Sequence, residues 1–263
     1  MRLARKEPVP ILYDYTMKFS LIIPAWNEAA FLPDTLDVAL KALREIEALG
    51  EHVGELIVVD NNSTDETASI ASDLGVKVVF EPINQIARAR NRGASVAMGE
   101  ALIFLDADSQ CSVELLQHVL NQLEAGSTVG GGSTIAADRP IEGAALRTLN
   151  FWNRIATSLC LAAGCFVFCR KDAFDQVGGF NTKVYAGEEI YLSRALKKWG
   201  RRRSMRFEIA TVSPVVTSVR KLDWYNAPQL IRQALIVLIP GAVYSKALCK
   251  TWYGGGSRDN HKG

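Results

Sequence analysis

Ala101-Leu102-Ile103-Phe104-Leu105-Asp106-Ala107-Asp108 is the stretch that decides the fold. Its five apolar residues predict a buried strand, and its two carboxylates follow at the point where that strand ends. Ligands of an open α/β sheet bind at the carboxyl ends of the strands. Asp106 and Asp108 are therefore placed to hold a hard divalent cation, which in turn holds phosphate oxygens. The alternative is that both acids only cap a turn, as Asp often does.

Short apolar runs alternate with helical patterns through the first half of the chain. The predicted strands are Phe19–Pro24, Leu56–Asp60, Val76–Phe80 and Ala101–Leu105. The predicted helices begin near Leu32, after the N-caps Ser63, Thr64 and Asp65, at Ile86, and at Val113 after the N-cap Ser112. Apolar strands that alternate with helices are typical of a parallel sheet covered on both faces.

The pattern changes after Gly126. Gly130-Gly131-Gly132 interrupts a β-like stretch, and Gly178-Gly179 marks a tight turn. Further predictions are helices at 142–158 and 187–199, a strand at 164–169, β-like runs at 205–211 and 215–219, and a helical apolar end from 224. The predicted fold class is therefore α/β, a mostly parallel sheet flanked by helices, with a helical C-terminal extension.

The composition is that of a packed globular protein, with 263 residues of which 48% are hydrophobic and 22% charged. The five cysteines form no Cys-x-x-Cys pair and lie mostly in or beside apolar runs, which indicates reduced core residues of a cytosolic protein. The N-terminus shows no signal-peptide pattern, and no run reaches the roughly 18 uncharged apolar residues of a membrane span. The expected location is the cytoplasm, and a position at the inner face of the membrane is an open alternative.

The net charge of +2 is unevenly distributed along the chain. Residues 201–263 hold eleven Lys and Arg against three Asp and Glu. A basic C-terminal quarter favours an anionic partner, such as a diphosphate or a lipid surface. An equally favoured alternative is that these Lys and Arg side chains are simply solvated on the surface of a helical tail.

Five short motifs follow one another along the chain, and their order is informative about the protein family. They are Ser20-Leu-Ile-Ile-Pro-Ala-Trp-Asn-Glu28, Val58-Val-Asp-Asn-Asn-Ser-Thr-Asp-Glu-Thr67, Ala87-Arg-Ala-Arg-Asn91, Phe104-Leu-Asp-Ala-Asp108, and Gly178-Gly-Phe180 followed by Gly187-Glu-Glu189. Together they resemble the family 2 glycosyltransferases of the GT-A fold, over roughly residues 18–200. The resemblance divides residues 1–222 into a donor half (18–125) and an acceptor half (126–222), followed by an apolar, basic helical extension and tail (223–263).

The resemblance implies transfer of a sugar from a nucleoside diphosphate sugar, with a UDP-sugar favoured, to an acceptor hydroxyl. The leaving diphosphate gains charge, which a divalent cation stabilises as a Lewis acid. We expect Mg²⁺ or Mn²⁺, with Asp108 as the direct ligand. Asp106 is expected to contact the ribose, or the metal through a water molecule.

The expected donor pocket is formed by the strand ends. By resemblance, Asp60 and Asn61 hold the nucleobase, with an Asx-turn as the alternative, and Trp26 stacks on the base or fills the pocket wall. Arg90 and Arg220 are expected at the diphosphate, with an arginine on the surface of a helix as the equal alternative for Arg90 and a solvated surface residue as the equal alternative for Arg220. The same crevice is lined by the rest of the first strand end, namely Pro24, Asn27 and Glu28.

Glu189 matches the position of the family's catalytic acid, where relatives have Asp. Inverting transfer needs a carboxylate that takes the proton of the acceptor. Glu188 is the alternative base, or it orients the acceptor, and two acids in the first turn of a helix are also favoured by the helix dipole alone. The Gln-x-x-Arg-Trp motif of processive polymerases is absent from the sequence, which favours single transfers.

Two other functions stay open. A sugar-nucleotide nucleotidyltransferase has a similar core, but it needs a Gly-rich, Arg-bearing loop where this chain has Pro24-Ala25-Trp26-Asn27-Glu28. A non-catalytic nucleotide-sugar-binding protein would not need the acids at 106, 108 and 189. The expected partners are the donor and an acceptor of unknown identity. A lipid-linked acceptor, a peripheral membrane contact and a homodimer are left open, and no nucleic acid partner is expected.

Overall fold

A computed structural model of the chain describes residues 17–224, 239 and 241–249. The strands are β1 (Met17–Ala25), β2 (His52–Asp60), β3 (Lys77–Phe80), β4 (Ala101–Leu105), β5 (Ser109–Gln110), β6 (Thr128–Ala137), β7 (Phe166–Arg170) and β8 (Arg206–Thr217). The helices are α1 (Leu32–Leu49), α2 (Thr67–Asp73), α3 (Ile86–Val96), α4 (Val113–Glu124), α5 (Gly143–Leu159), α6 (Lys171–Val177), α7 (Glu188–Arg201) and α8 (Lys221–Trp224). A short 3₁₀-helix follows at Ala242–Tyr244.

The eight strands of the described residues form one sheet in the order β3-β2-β1-β4-β7-β6-β8-β5. β1 pairs in parallel with β2 and β4, and β2 pairs in parallel with β3. The antiparallel pairs involve β5 and β7, whereas β6 and β8 are again parallel. The predicted α/β class with a mostly parallel sheet is confirmed, and the carboxyl ends of β1 to β4 lie along one edge.

The sheet is buried on both faces because side chains alternate along each strand. Leu21 and Ile23 of β1 belong to a core cluster with residues of α1 and α4. Ile22 belongs instead to a cluster with residues of α3, α6 and α7. Helices therefore cover both faces, and the edge of the sheet is left for a ligand.

A proline does not end β1, as the sequence had suggested. The strand continues one residue past Pro24 because its pairing with β2 runs to Ala25, whereas its pairing with β4 stops at Ile22. A proline is tolerated where the edge of a strand is unpaired. Pro24 is thus part of the strand that leads into the crevice.

The two β-like runs predicted at 205–211 and 215–219 form one strand, β8, which contains Pro214. The register between β6 and β8 shifts between Ser133 and Ile135, and this irregularity accommodates the proline. The glycines at 130–132 lie inside β6 and do not interrupt it. A Cβ on Gly131 would lie 1.9 Å from a carbonyl oxygen of β8, so the glycine permits a close approach of two strands.

α2 begins at Thr67, and none of its three predicted caps is its N-cap. Two of them bind the loop after β1 instead: Ser63 Oγ accepts from the Asn27 N–H at 3.0 Å, and Asp65 Oδ2 accepts from the Ala29 N–H at 3.2 Å. Asp65 keeps a local contact as well, since its Oδ1 accepts from the Thr67 N–H at 3.0 Å, but the N-cap itself is Glu66. The predicted cap of α4 is confirmed, since Ser112 Oγ accepts from the backbone N–H of residue 115 at 3.1 Å.

The predicted C-terminal extension lies mostly outside the described residues, at 225–238 and 250–263. In the described segment 241–249, Val243 and Cys249 pack against Val184 and Tyr191. The Val243 carbonyl also accepts a hydrogen bond from Tyr185 N at 2.7 Å, directly before α7. Within the described ranges, each helix is too short or too polar to cross a membrane. The five cysteines are free thiols and four are buried, as predicted.

Candidate active site

Acidic side chains gather at the carboxyl edge of the sheet. Glu28 follows β1, and Asp106 and Asp108 follow β4. α7 begins at Glu188, which reaches the same place through an ion pair with Arg90. The chain thus brings acids from distant motifs into one crevice.

Arg90 is the centre of a first cluster. Its Nη1 donates to Glu188 Oε1 at 2.7 Å, and its Nη2 donates to Asp106 Oδ1 at 2.8 Å and to the Gly164 carbonyl oxygen at 2.7 Å. The side chain is 2% exposed. Burial lowers the pKa of Arg90, but the carboxylates of Asp106, Glu188 and Glu189 outweigh burial and shift the pKa upward. Arg90 is therefore a buried, permanently charged link between three elements.

The expected contact between Arg90 and a diphosphate is not what the structure shows. The guanidinium fork that would grip a phosphate is already filled by protein oxygens. Arg90 instead joins the strand-end acid Asp106 to the helix acid Glu188. The motif thus places Arg90 between two acids of the candidate site.

The loop before α7 is shaped to support Arg90. The guanidinium carbon lies 5.2 Å from the ring centroid of Phe180. Asn91 fixes the backbone of Phe180, since Nδ2 donates to its carbonyl at 2.8 Å and Oδ1 accepts from its N–H at 2.9 Å. Gly179 has a φ of 69°, and a Cβ there would lie 2.7 Å from Asn91 Oδ1. The double-glycine motif therefore lets Phe180 cover Arg90.

Glu189 lies beside this cluster, and among the described residues it has no ion pair. A Cβ on Gly164 would lie 3.8 Å from Glu189 Oε2, so the carboxyl group faces the loop that contacts Arg90. Burial, followed by repulsion from Glu188, raises the pKa of Glu189 to about 8, although Arg90 opposes the shift. A carboxyl group whose pKa lies near neutrality suits proton transfer.

Arg220 is the centre of a second cluster. Its Nη1 and Nη2 donate to the two carboxylate oxygens of Glu28, each at 2.7 Å, and Nη2 also lies 2.9 Å from Asp108 Oδ2. The guanidinium carbon lies 4.3 Å from the ring centroid of Phe31 and 5.1 Å from that of Trp224. Burial lowers the pKa of Arg220, but the hydrogen bonds to Glu28 and the charge of Asp108 raise it overall. A second permanent cation thus lies against the predicted metal ligand.

The remaining residues of the first strand end form a tight loop rather than free ligands. Asn27 has a φ of 54°, and its Oδ1 accepts from the Thr64 N–H at 2.8 Å. Pro24 and Trp26 are half-buried beside it. Asp60 Oδ1 accepts from the backbone N–H of residue 63 at 3.0 Å, which is the Asx-turn left open by the sequence.

The side chain of Asn61 bonds to the protein backbone instead of being free for the expected contact with a nucleobase. Its Nδ2 donates to the carbonyl oxygens of Glu81 and Ile83 at 3.2 and 2.7 Å, and its Oδ1 accepts from the Gln85 N–H at 2.8 Å. The side chain is buried, and both amide hydrogens are used. Asn61 therefore orders the loop between β3 and α3.

Two residues that sequence reasoning missed complete the site. Gly164 supplies the third acceptor for Arg90. Gln85 is buried, and its Nε2 donates to the carbonyl oxygens of Thr182 and Val184, both at 2.9 Å. The sequence offered one weak signal for Gln85, a polar residue directly before a predicted helix. Its role is to tie the donor half to the loop that leads into Glu188.

Asp106 and Asp108 offer carboxylate oxygens of the kind that Mg²⁺ and Mn²⁺ take. Each acid already has an arginine partner. Within the described part of the chain, no three His, Cys, Asp or Glu side chains form a group that could hold a metal ion. The pair therefore fits a cation that receives its other ligands from a bound diphosphate and from water, and not one held by protein alone.

Residues 20–178 match the model of glycosyl transferase family 2. A dolichol-phosphate mannosyltransferase of Pyrococcus furiosus is 27% identical over 186 residues, which cover 66% of this chain and 49% of that protein. The chain thus spans about half the length of this relative.

Solved structures show the same fold. Mannosyltransferase PcManGT from Pyrobaculum calidifontis, in complex with GDP-Man and Mn²⁺, superposes with a TM-score of 0.66 at 20% identity, over 84% of this chain and 63% of that one. Glucosyl-3-phosphoglycerate synthase from Mycobacterium tuberculosis, in complex with Mn²⁺, UDP and phosphoglyceric acid, superposes with a TM-score of 0.58 at 19% identity. The match covers 89% of this chain and 78% of that one. The architecture is that of a GT-A glycosyltransferase. Because the family model spans β1 to β7 and the strand-end acids, the chain belongs to glycosyl transferase family 2.

Proposed function

We propose that this chain is a metal-assisted glycosyltransferase that moves a sugar from a nucleoside diphosphate sugar to an oxygen of an acceptor. The observation that carries the proposal is the pair of arginine-centred clusters in one crevice. One contains Arg220 with Glu28 and Asp108, and the other contains Arg90 with Asp106 and Glu188. Membership of the family supports the same class of reaction.

The donor side of the crevice has to stabilise a departing diphosphate. When the bond from the sugar C1 to the diphosphate oxygen breaks, that oxygen keeps the electron pair and gains negative charge. A bound Mg²⁺ or Mn²⁺ would supply Lewis-acid stabilisation, with Asp108 as ligand and Asp106 at the ribose or a metal-bound water. Arg220 Nη2 lies 2.9 Å from Asp108 Oδ2 and would bind a phosphate oxygen in place of that carboxylate, while Nη1 stays on Glu28. Asp60 is proposed at the base, with uracil preferred.

The acceptor side has to handle a proton if the acceptor is a hydroxyl. The acceptor oxygen forms a bond to C1 while its proton passes to an oxygen of the ionised Glu189 carboxylate, the minority form at pH 7 because the pKa of Glu189 is raised to about 8. The diphosphate leaves from the opposite face, so the configuration inverts. Glu188 is held by Arg90 at 2.7 Å and is not available for this step without breaking a buried ion pair. Glu189 is therefore the proposed base, and Glu188 is a positioning residue.

A polyprenyl phosphate is a second candidate acceptor, because the Pyrococcus relative is named a dolichol-phosphate mannosyltransferase. A phosphate oxygen is largely ionised at neutral pH and needs no base. With a pKa of about 8, Glu189 is mostly neutral at pH 7 and places little charge against an anionic acceptor. This acceptor implies contact with a membrane, for which the basic residues of 201–263 suit anionic headgroups.

The proposal is tested by incubating the protein with UDP-glucose, UDP-N-acetylglucosamine or GDP-mannose, with and without Mg²⁺ or Mn²⁺ and a polyprenyl phosphate in detergent. We expect one donor to raise the melting temperature in a metal-dependent way, since a ligand at 100 times its Kd stabilises by about 2.7 kcal/mol. The same donor should be consumed when the acceptor is present. Binding without any consumption would favour a sensor, and release of pyrophosphate from a nucleoside triphosphate and a sugar phosphate would favour a nucleotidyltransferase.

A further inference from the structure

Arg220 lies where an incoming divalent cation would meet Asp108. Its Nη2 is 2.9 Å from Asp108 Oδ2 and is shared with Glu28 Oε1 at 2.7 Å. The exposed fractions are 10% for Arg220, 8% for Glu28 and 15% for Asp108, so water screens this cluster weakly. One carboxylate proposed as a metal ligand is therefore already neutralised by a cation of the chain.

The arginine is held at this position by more than charge. Glu28 binds it through both oxygens, and the rings of Phe31 and Trp224 lie close to its guanidinium group. The backbone adds to this, because the Ser218 N–H donates to the Asp108 carbonyl oxygen at 3.0 Å. The strand end that carries Arg220 is thus fastened to the strand end that carries Asp108.

A free metal ion and a metal–diphosphate complex meet this cluster differently. A free dication must either displace Arg220 from Asp108 or lie beside a second positive charge at short range, which is unfavourable in a poorly screened site. A diphosphate brings negative oxygens that Arg220 Nη2 can bind in place of Asp108 Oδ2, while Nη1 stays on Glu28. The exchange frees Asp108 at the moment when the diphosphate also supplies ligands for the metal.

We propose that Arg220 makes this crevice take up the divalent cation as its complex with a nucleoside diphosphate and discriminate against the free ion. The inference rests on the proposed function and adds the form in which the donor is bound. Arg220 and the metal compete for Asp108, whereas the diphosphate relieves that competition. Metal and nucleotide therefore bind cooperatively, and Arg220 is the source of part of the coupling.

The test is a titration with Mn²⁺, followed by the electron paramagnetic resonance signal of the free ion, first without nucleotide and then with UDP, GDP or inorganic pyrophosphate. The proteins are the unaltered chain, Arg220→Gln, and the control Arg139→Gln, which loses an exposed arginine paired with Asp223. We expect Arg220→Gln to bind Mn²⁺ alone more tightly, on the order of 5- to 150-fold, the usual span of such couplings. Arg139→Gln should match the unaltered chain.

A double variant guards against misfolding, because Arg220→Gln alone leaves Glu28 buried without its partner. Combining Arg220→Gln with Glu28→Gln removes both members of the bidentate pair, so that no buried carboxylate is left at position 28 without its arginine. We expect it too to bind free Mn²⁺ more tightly than the unaltered chain. Equal affinity for free Mn²⁺ in all four proteins overturns the inference.

The same titrations separate this inference from the proposed function. If nucleotides bind together with Mn²⁺ but Arg220→Gln leaves the affinity for free Mn²⁺ unchanged, this inference fails and the proposed function stands. If neither UDP nor GDP binds to any of the proteins, the proposed function fails. Tighter Mn²⁺ binding in the presence of pyrophosphate alone would assign the coupling to the diphosphate and not to the base.

Discussion

Arg90 and Glu188 form a buried ion pair, with 2.7 Å between Nη1 and Oε1 and with 2% and 6% of their side chains exposed. The two residues are 98 positions apart in the sequence. The pair connects α3 of the donor half to the first turn of α7, which also carries Glu189. The position of the proposed base therefore depends on a residue of the other half of the chain.

Arg90→Gln should destabilise the fold by about 3–5 kcal/mol, because removing one partner leaves Glu188 charged and buried. Urea denaturation at pH 7 measures the change. Arg88→Gln is the matched control on the same helix, since Arg88 is 38% exposed and lies 3.5 Å from Glu81. Arg88→Gln should lower the free energy of unfolding by only about 0–1 kcal/mol. Equal losses for the two variants would contradict the structural role given to Arg90.

Glu189→Gln should lower the turnover number by roughly 10²–10⁴ if the acceptor is a hydroxyl, because a general base is lost. Donor affinity should stay unchanged, since Glu189 is assigned to the acceptor side. Steady-state kinetics with the identified donor measures both. Glu188→Gln serves as the comparison and should mainly reduce stability. A folded Glu188→Gln protein with the larger loss of turnover would reverse the two roles, and full activity of Glu189→Gln would point to a phosphate acceptor.

The contribution of Glu189 to the free energy of unfolding should fall as the pH rises from about 4.5 to about 8. Its pKa is raised from 4.5 to about 8 on folding, so across this interval the folded protein keeps a proton that the unfolded chain has lost. The contribution is complete below the lower value and is lost above the upper one. Urea denaturation across this range, compared with Glu189→Gln, isolates the effect. If the free energy of unfolding depends on pH in the same way in the unaltered protein and in Glu189→Gln, Glu189 is ionised in the folded protein.

Asp108→Asn should abolish metal-dependent donor binding while the protein stays folded. Folding is retained because Arg220 keeps its bidentate contact with Glu28. Melting curves with the donor, with and without Mn²⁺, show whether the metal still adds stability. Asp37→Asn, an exposed acid paired with Lys41, is the control for a lost carboxylate. Near-normal turnover of Asp108→Asn would remove this residue from the metal site.

The 263-residue chain should float with anionic liposomes at low salt if the acceptor is membrane-bound. Residues 201–263 carry an excess of Lys and Arg, and each one near an anionic surface adds about 1 kcal/mol of attraction. Flotation should weaken as salt is added, because the attraction is screened. Protein that stays in the soluble fraction at low salt would rule out the peripheral contact.

The sequence predicted the strand ends well because each lies where an apolar run meets a polar residue, which is a local signal. Asp106 and Asp108 were found in this way, whereas Glu188 at the start of α7 came from the family resemblance. The direction in which Arg90 and Asn61 point was not predictable, because their partners are distant in sequence: Arg90 reaches residue 188, and Asn61 reaches the loop at 81–85. The contact between Arg220 and Glu28 spans 192 positions and followed only from the assembled sheet.

The place of β7 between β4 and β6 has a consequence for synthesis on the ribosome. β1 to β4 can pair as soon as residue 105 has emerged, but the partner of the free side of β4 begins at Phe166. At about 5–20 residues per second, the intervening stretch of roughly sixty residues takes on the order of 3–12 s to make. During that time an apolar strand edge is open to pairing with other chains. The nascent donor half therefore needs protection that the finished protein does not.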